Sequence, residues 1–294
     1  DQAKDHIQRG ELDKAMSISD KILEIKPNSP IGLMLRGDAY LGMGRRDDAI
    51  KAYEEAHASS SMFLEPLKRL AEAYSGTDEH DSQLKYLKKL DKLSPLNSDR
   101  KFEIGKVYTR KGEMKMAEVY FDEAIECATK EVFSTVGNMA KDIAHALDEM
   151  APNLSEKYLS QFLEFKGDRL TRDDMETFNR LGIALRRQGK WKAAVENYQK
   201  ALTIAPDDEG LFYNMAMAHL EGGRAWDAAQ ALDKAAKLNP GFFSGSADVC
   251  YNMGYVYYQN RDNQKALEFF NKALEINPEH AHAQDMLART KKRM

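Results

Sequence analysis

Two neighbouring stretches decide the fold: CYNMGYVY at residues 250–257 and ALEFFNKALEINP at residues 266–278. In both, large apolar side chains return every three or four positions, the spacing of one face of an α-helix. Small residues, Gly254 and Ala266, stand twelve positions apart, one on each side of a short polar break. Pro278 ends the second stretch, because proline has no N–H and clashes with the preceding helical turn. The pair reads as helix, turn, helix, stop.

Working outward, the same unit recurs along the chain. Gly10 and Gly44 are 34 positions apart, Gly112 follows Gly44 by 68, and Gly189 and Gly223 are again 34 apart. Pro27 and Pro95 are separated by 68, Pro206 and Pro240 by 34. Ala15, Ala49, Ala117, Ala194, Ala228 and Ala266 fill one small-residue column; Ala3, Gly37, Ala71, Gly105, Gly182, Ala216 and Gly254 fill another. A small side chain on each helix of a pair lets two backbones cross closely. A fixed period of this length is the mark of a repeat architecture.

The residues at 247–280 resemble a tetratricopeptide repeat (TPR), whose pattern places a large residue, Leu-Gly, an aromatic, then Ala, an aromatic, Ala and Pro. The resemblance extends over six registers: 30–63, 64–97, 98–131, 175–208, 209–242 and 247–280. It implies an all-α fold, a right-handed α-solenoid superhelix of stacked antiparallel helix pairs. Residues 1–29 read as a truncated first repeat, 30–131 as three repeats, 175–280 as three more, and 281–294 as a capping helix. Two departures stand out. Gln83 and Leu90 replace alanines, so the helices of the repeat at 64–97 should pack further apart. Thr129 replaces the stop proline, so that helix should run on toward residue 131.

Residues 132–174 break the period. Val132, Val136, Met139, Ile143 and Leu147 recur at helical spacing, and Leu154, Tyr158, Leu159, Phe162 and Leu163 form a second apolar face. Pro152, Asn153 and Glu156 suggest a capping-box-like start. This density of apolar residues favours an atypical, longer helix pair over a flexible linker.

Composition limits the function. Lys+Arg is 43 and Asp+Glu 47, a formal charge of −4. That argues against nucleic-acid binding, which needs a basic surface to displace counterions. No apolar run approaches the ~20 residues needed to span a bilayer. The two cysteines, Cys127 and Cys250, form no CxxC pair and read as buried reduced thiols. The chain opens on Asp1 without a charged-then-apolar leader, and so reads as a mature or excised fragment; a cytoplasmic setting is expected.

No catalytic constellation appears: no GxSxG, no phosphate-binding glycine loop, no HExxH. The chain is therefore expected not to be an enzyme, and no cofactor or metal is expected. His280 and His282, two apart on a helix, should point to different faces. His219 falls on a core column, as a hydrogen-bonded core histidine.

Function should then lie on the surface that stacking creates, lined by the first helix of each repeat. The resemblance implies a peptide or partner segment held there. In the C-terminal repeats those positions include Asn179, Ile183, Arg186 and Arg187, then Tyr213, Asn214, Met217 and Leu220, then Tyr251, Asn252, Tyr255 and Tyr258. Tyrosine supplies contact area at low entropic cost, methionine adapts its shape, and an amide can pair with any peptide backbone. Asn179, Arg186, Tyr213, Asn214, Met217, Tyr251, Asn252, Tyr255 and Tyr258 are the candidate partner-binding residues. Asn214 and Asn252 form two rungs of an asparagine ladder similar to those some TPR proteins use, with Arg180 at the third.

The N-terminal positions are Ile31, Met34, Asp38 and Leu41, then Glu65, Lys68 and Glu72, then Phe102, Lys106 and Arg110. The family's carboxylate clamp for chaperone tails is missing: Met34 and Asp38, or Asn179 and Ile183, stand where lysine and asparagine would be, and Asp248 replaces a later lysine. The leading expectation is a non-catalytic protein-binding adaptor. The alternatives are a self-associating scaffold, a possible homo-oligomer, or the output region of a larger bacterial signalling protein. For the last, LSPLNSDRKFEIGKVY at 93–108 resembles stretches of receiver-domain proteins with TPR tails.

Overall fold

A computed structural model describes residues 2–131, 135–147, 150–241 and 245–294. Val132, read above as part of an apolar face, lies outside them. All regular structure among the described residues is helical. The chain divides into two compact units, Asp1–Thr135 and Val136–Met294.

The first unit holds α1 (Gln2–Gln8), α2 (Leu12–Ile25), α3 (Pro30–Gly42), α4 (Arg46–Ser59), α5 (Glu65–Ala73), α6 (His80–Leu93), α7 (Ser98–Arg110) and α8 (Met114–Glu131). Consecutive helices pack against each other along the series. Helix starts are written in the sequence. Ser29 accepts from the Gly32 N–H and Asn97 from the Arg100 N–H, each relieving an orphan donor of the first turn. The stop signals are written too. α4 and α6 each run 14 residues, whereas α8, with Thr129 in place of proline, runs 18, to Glu131. Beside the substituted Gln83 and Leu90, both buried, a cavity of about 440 Å³ opens between α5, α6 and α7.

The second unit begins within α9 (Thr135–Leu147) and continues through α10 (Pro152–Lys166), α11 (Met175–Arg187), α12 (Trp191–Ile204), α13 (Glu209–Glu221), α14 (Ala225–Leu238), α15 (Ala247–Gln259), α16 (Asn263–Ile276) and α17 (Ala281–Arg293). It too is a stack of helix hairpins, an α-solenoid. The capping box expected at Asn153 and Glu156 is absent. The residue before α10 is Ala151, which offers no side-chain oxygen, and Glu156 instead ion-pairs with Lys190 at 2.6 Å. The capping box of this region lies further on, where Thr171 and Asp174 exchange bonds ahead of α11.

The close-approach column explains itself in three dimensions. A methyl group added at Gly37, Gly105, Gly182 or Gly254 would lie under 3.0 Å from the ring of Tyr53, Phe121, Tyr198 or Phe270, respectively. Each of these rings is fully buried. Where the facing residue is Leu87 or Leu232, the column holds Ala71 or Ala216 instead. Volume is thus conserved across each helix pair, as close packing demands. Both cysteines are buried thiols outside any disulfide.

Candidate functional site

The nine candidate residues lie on α11, α13 and α15, the first helices of their repeats, which stacking would turn to the inner face of the second unit. Of the nine candidate residues, Met217 is buried and the other eight are half-buried. The two asparagines are not equivalent. Asn214 donates to Asn179 Oδ1 at 3.1 Å, amide to amide. Asn252 donates to the Tyr213 hydroxyl at 3.1 Å. In each the second amide N–H and the Oδ1 acceptor remain open among the described residues.

Tyr251 and Tyr255 stack along α15 with ring centroids 6.2 Å apart. Tyr251 is closed in from the other side by His280 and His282, centroids at 5.1 and 5.9 Å. Those two histidines therefore do not diverge. His280 precedes α17 as its N-cap, its Nδ1 accepting from the Ala283 N–H, so helical spacing does not apply to the pair. Its Nε2 faces Asp248 at 3.1 Å. Arg293, from the end of α17, donates to the Tyr258 carbonyl at 3.1 Å and lays its guanidinium 4.6 Å over the Tyr258 ring. Burial pushes the Tyr251 phenol up, as it does Tyr213, where the Asn252 bond opposes it.

Arg186 is engaged within the chain. It grips Glu221, Nε at 3.0 Å and Nη2 at 2.6 Å from Oε1, across α11 and α13. Burial works against its charge, but Glu221 outweighs this and its pKa stands above the usual guanidinium value. Beside it, burial raises the Tyr198 phenol to about 12, with Arg186 opposing. Glu221 escaped the sequence reading; its spacing from Arg186, one period plus one residue, was the available signal. His219 occupies its core column, yet its Nδ1 is sealed without a hydrogen-bond partner among the described residues. Burial lowers its pKa, so the neutral ring is the favoured form.

The corresponding face of the first unit is ionic. Tyr53 donates to Asp38 at 2.7 Å, and Arg69 stands 3.2 Å from Asp38 and 3.0 Å from Glu72. Lys106 pairs with Glu103 at 2.6 Å. Met34 is buried, whereas Ile31 and Leu41 are exposed. Among the described residues no group of three His, Cys, Asp or Glu could hold a metal, and no helix is long and apolar enough to cross a membrane.

Comparison with known proteins gives one consistent answer. Family profiles described as "Tetratricopeptide repeat", "TPR repeat" and "Psidin, N-terminal TPR repeats region" match residues 247–280, 182–223 and 4–120. The chain is a tetratricopeptide-repeat protein. It is similar in fold, at TM-score 0.52, to the C-terminal part of a TPR repeat-containing protein from Cytophaga hutchinsonii, with 18% identity over 97% of this chain and 98% of that one. Among curated proteins it is 24% identical over 286 residues to Hsp70-Hsp90 organizing protein 1 of Glycine max, 96% of this chain and 42% of that protein. It is also 24% identical over 201 residues to the BBSome complex member BBS4 homolog of Drosophila melanogaster, 66% of this chain and 38% of that protein. The TPR chain thus spans about two fifths of the length of these relatives.

Proposed function

We propose that this TPR chain is a non-catalytic adaptor that binds an extended segment of a partner protein along α11, α13 and α15. The observation that carries the reading is the pair of half-buried amides, Asn214 and Asn252, each with an open acceptor and an open N–H beside tyrosine rings. A peptide backbone offers the complementary donors and acceptors at every residue. Tyr213, Tyr251, Tyr255 and Tyr258 supply flanking apolar area; Asn179 fixes the first rung, and Arg186 ties α11 to α13 through Glu221. Met217 sits beneath as packing. Similarity to an organizing protein and a complex member supports an adaptor role. The repeat blocks at 30–131 and 175–280, bracketing the pair at 132–174, are the organisation we assign, with residues 281–294 as the cap. Two buried thiols outside any disulfide suit a reducing compartment, and we place the chain in the cytoplasm.

The test is affinity capture from source-cell lysate with the wild-type chain and a triple variant, Asn214→Ala, Asn252→Ala and Tyr255→Ala, matched for helicity by circular dichroism. A partner held by wild type and lost by the variant is expected. A partner held equally by both overturns the placement on this face. Recovery of the chain alone would favour the self-associating scaffold instead.

A further inference from the structure

The second unit also carries a cleft between α10, α11 and α12. The core-facing residues of α11, Phe178, Leu181 and Leu185, form its floor, and α10 and α12 form its walls, enclosing about 550 Å³. That falls within the range of about 300–1,000 Å³ common for ligand clefts. None of the nine inner-face residues lines it.

Beside the cleft, α10 and α11 are joined by eight residues, 167–174, where α12 and α13 are joined by four, 205–208. The long connection is fixed. Asp174, almost fully buried, takes Lys166 at 2.7 Å and the Thr171 N–H at 2.9 Å. Burial opposes its charge, but these bonds outweigh it and hold its carboxyl below the usual range. The spacing of the walls is therefore set before any ligand arrives.

Its chemistry is one-sided. Leu163, Leu170, Ala193 and Ile204 offer half-buried apolar surface. Asn197 is only 6% exposed; its Nδ2 donates to the Phe178 carbonyl at 2.7 Å, and that bond turns Oδ1 the other way, with no donor to meet it among the described residues. Glu164 and Glu196 are exposed and form no ion pair among the described residues, and Glu156 is held by Lys190 from outside the cleft. Lys200 is the single cation of the lining. A nearly buried acceptor, two open carboxylates and aliphatic walls call for a ligand that is cationic, donor-rich and flanked by aliphatic groups. We propose that this cleft docks a partner-protein segment in which arginine alternates with leucine-like residues. The guanidinium meets Glu164, Glu196 and Asn197 Oδ1, and the aliphatic neighbours lie on Leu163, Leu170 and Ile204.

The probe is the peptide Ac-Leu-Arg-Leu-Arg-Leu-NH2, titrated into methyl-labelled full chain and read by NMR at Leu163, Leu170 and Ile204. Saturable shifts at these methyls are expected. Affinity should fall at least tenfold in Glu164→Gln/Glu196→Gln, whose exposed positions leave folding intact, and should weaken with added salt. The triple variant of the inner face should bind as wild type does, so this proposal and the groove reading fail separately. No saturable shift would overturn the proposal. So would equal binding of Ac-Leu-Glu-Leu-Glu-Leu-NH2, or a twofold or smaller loss in the double variant. Methyl shifts that follow protein concentration without peptide would overturn it in favour of a second copy as the occupant.

Discussion

The two units share a scaffold and differ in what they place on it. At the ninth position of the repeat, the first unit carries Asp38, Glu72 and Lys106; the second carries Ile183, Met217 and Tyr255. Asp38 is tied to Tyr53 and Arg69, and Lys106 to Glu103, so polar links between side chains hold that face. In the second unit, amide hydrogen bonds and ring stacking stand beside the Arg186–Glu221 ion pair. Beneath both, the same glycine–aromatic pairing recurs: Gly37 with Tyr53, Gly182 with Tyr198. Packing between helices is thus common to the units, and surface chemistry is free to diverge.

The largest effects should come from the shared scaffold. Tyr198→Leu leaves a void in a fully buried site and should cost about 2–3 kcal/mol. Gly182→Ala drives a methyl into the Tyr198 ring and should cost about 1–2 kcal/mol net of its gain in helix propensity. The double variant recreates the Ala216/Leu232 pairing and should cost less than the sum by more than about 1 kcal/mol. Urea denaturation with hydrogen exchange to localise the loss would measure the cycle. Strict additivity would mean that the two positions do not compensate each other.

Next comes the contrast itself. Asp38→Ala leaves the fully buried Tyr53 without its acceptor and Arg69 without one of its carboxylates, and should cost about 2 kcal/mol. Ile183→Ala, at a partly exposed site, should cost about 1 kcal/mol or less. Equal losses, compared by the same denaturation experiment, would erase the distinction between the ionic position of the first unit and the apolar position of the second.

How much of this was legible follows the same division. The period, the helix pairs and their stops rest on glycine, proline and small residues, whose backbone effects are local and read directly from spacing. Thr129 in place of proline gave the long α8 correctly, and Gln83 and Leu90 line the cavity between α5, α6 and α7. The site was less legible, because side-chain partners are chosen across repeats. Arg186 reads as an open fork in one helix, and Glu221 lies a full repeat away. His280 and His282 were misread because their register assumed a helix that begins only at Ala281. Glu156 reads as a capping acid but answers Lys190, which the fold brings to it.

The irregular connection of the second unit has no counterpart in the first and gives a pH signature. Because the folded-state pKa of Asp174 is lowered, its stabilisation is fully present above the ordinary aspartate value, about 3.9, and is lost as pH falls through the folded value. Asp174→Asn should cost about 1–2 kcal/mol at pH 7, and the difference from wild type should shrink below about pH 4. Denaturation midpoints of both proteins between pH 3 and 7 would show it; parallel curves would assign the acid sensitivity elsewhere.

The smallest predicted effect is a gain. Gly10, Gly44 and Gly112 in the first unit, and Gly189 and Gly223 in the second, turn between paired helices with φ of +71° to +76°. Such angles bring a Cβ close to the neighbouring carbonyl, so residues other than glycine resist them by about 1–2 kcal/mol. In the last repeat the same turn falls on Arg261, with φ +65°. Its backbone N–H still reaches the Tyr258 carbonyl at 3.1 Å, so the turn is made despite the side chain. The side chain is exposed and makes no hydrogen bond or ion pair among the described residues that would offset the strain. Arg261→Gly should therefore stabilise the second unit by about 1 kcal/mol, less whatever flexibility glycine adds to the unfolded chain. The denaturation midpoint should rise. A fall would mean that the arginine holds this turn through the unfolded ensemble, and that the glycine column is a preference of the scaffold rather than a requirement.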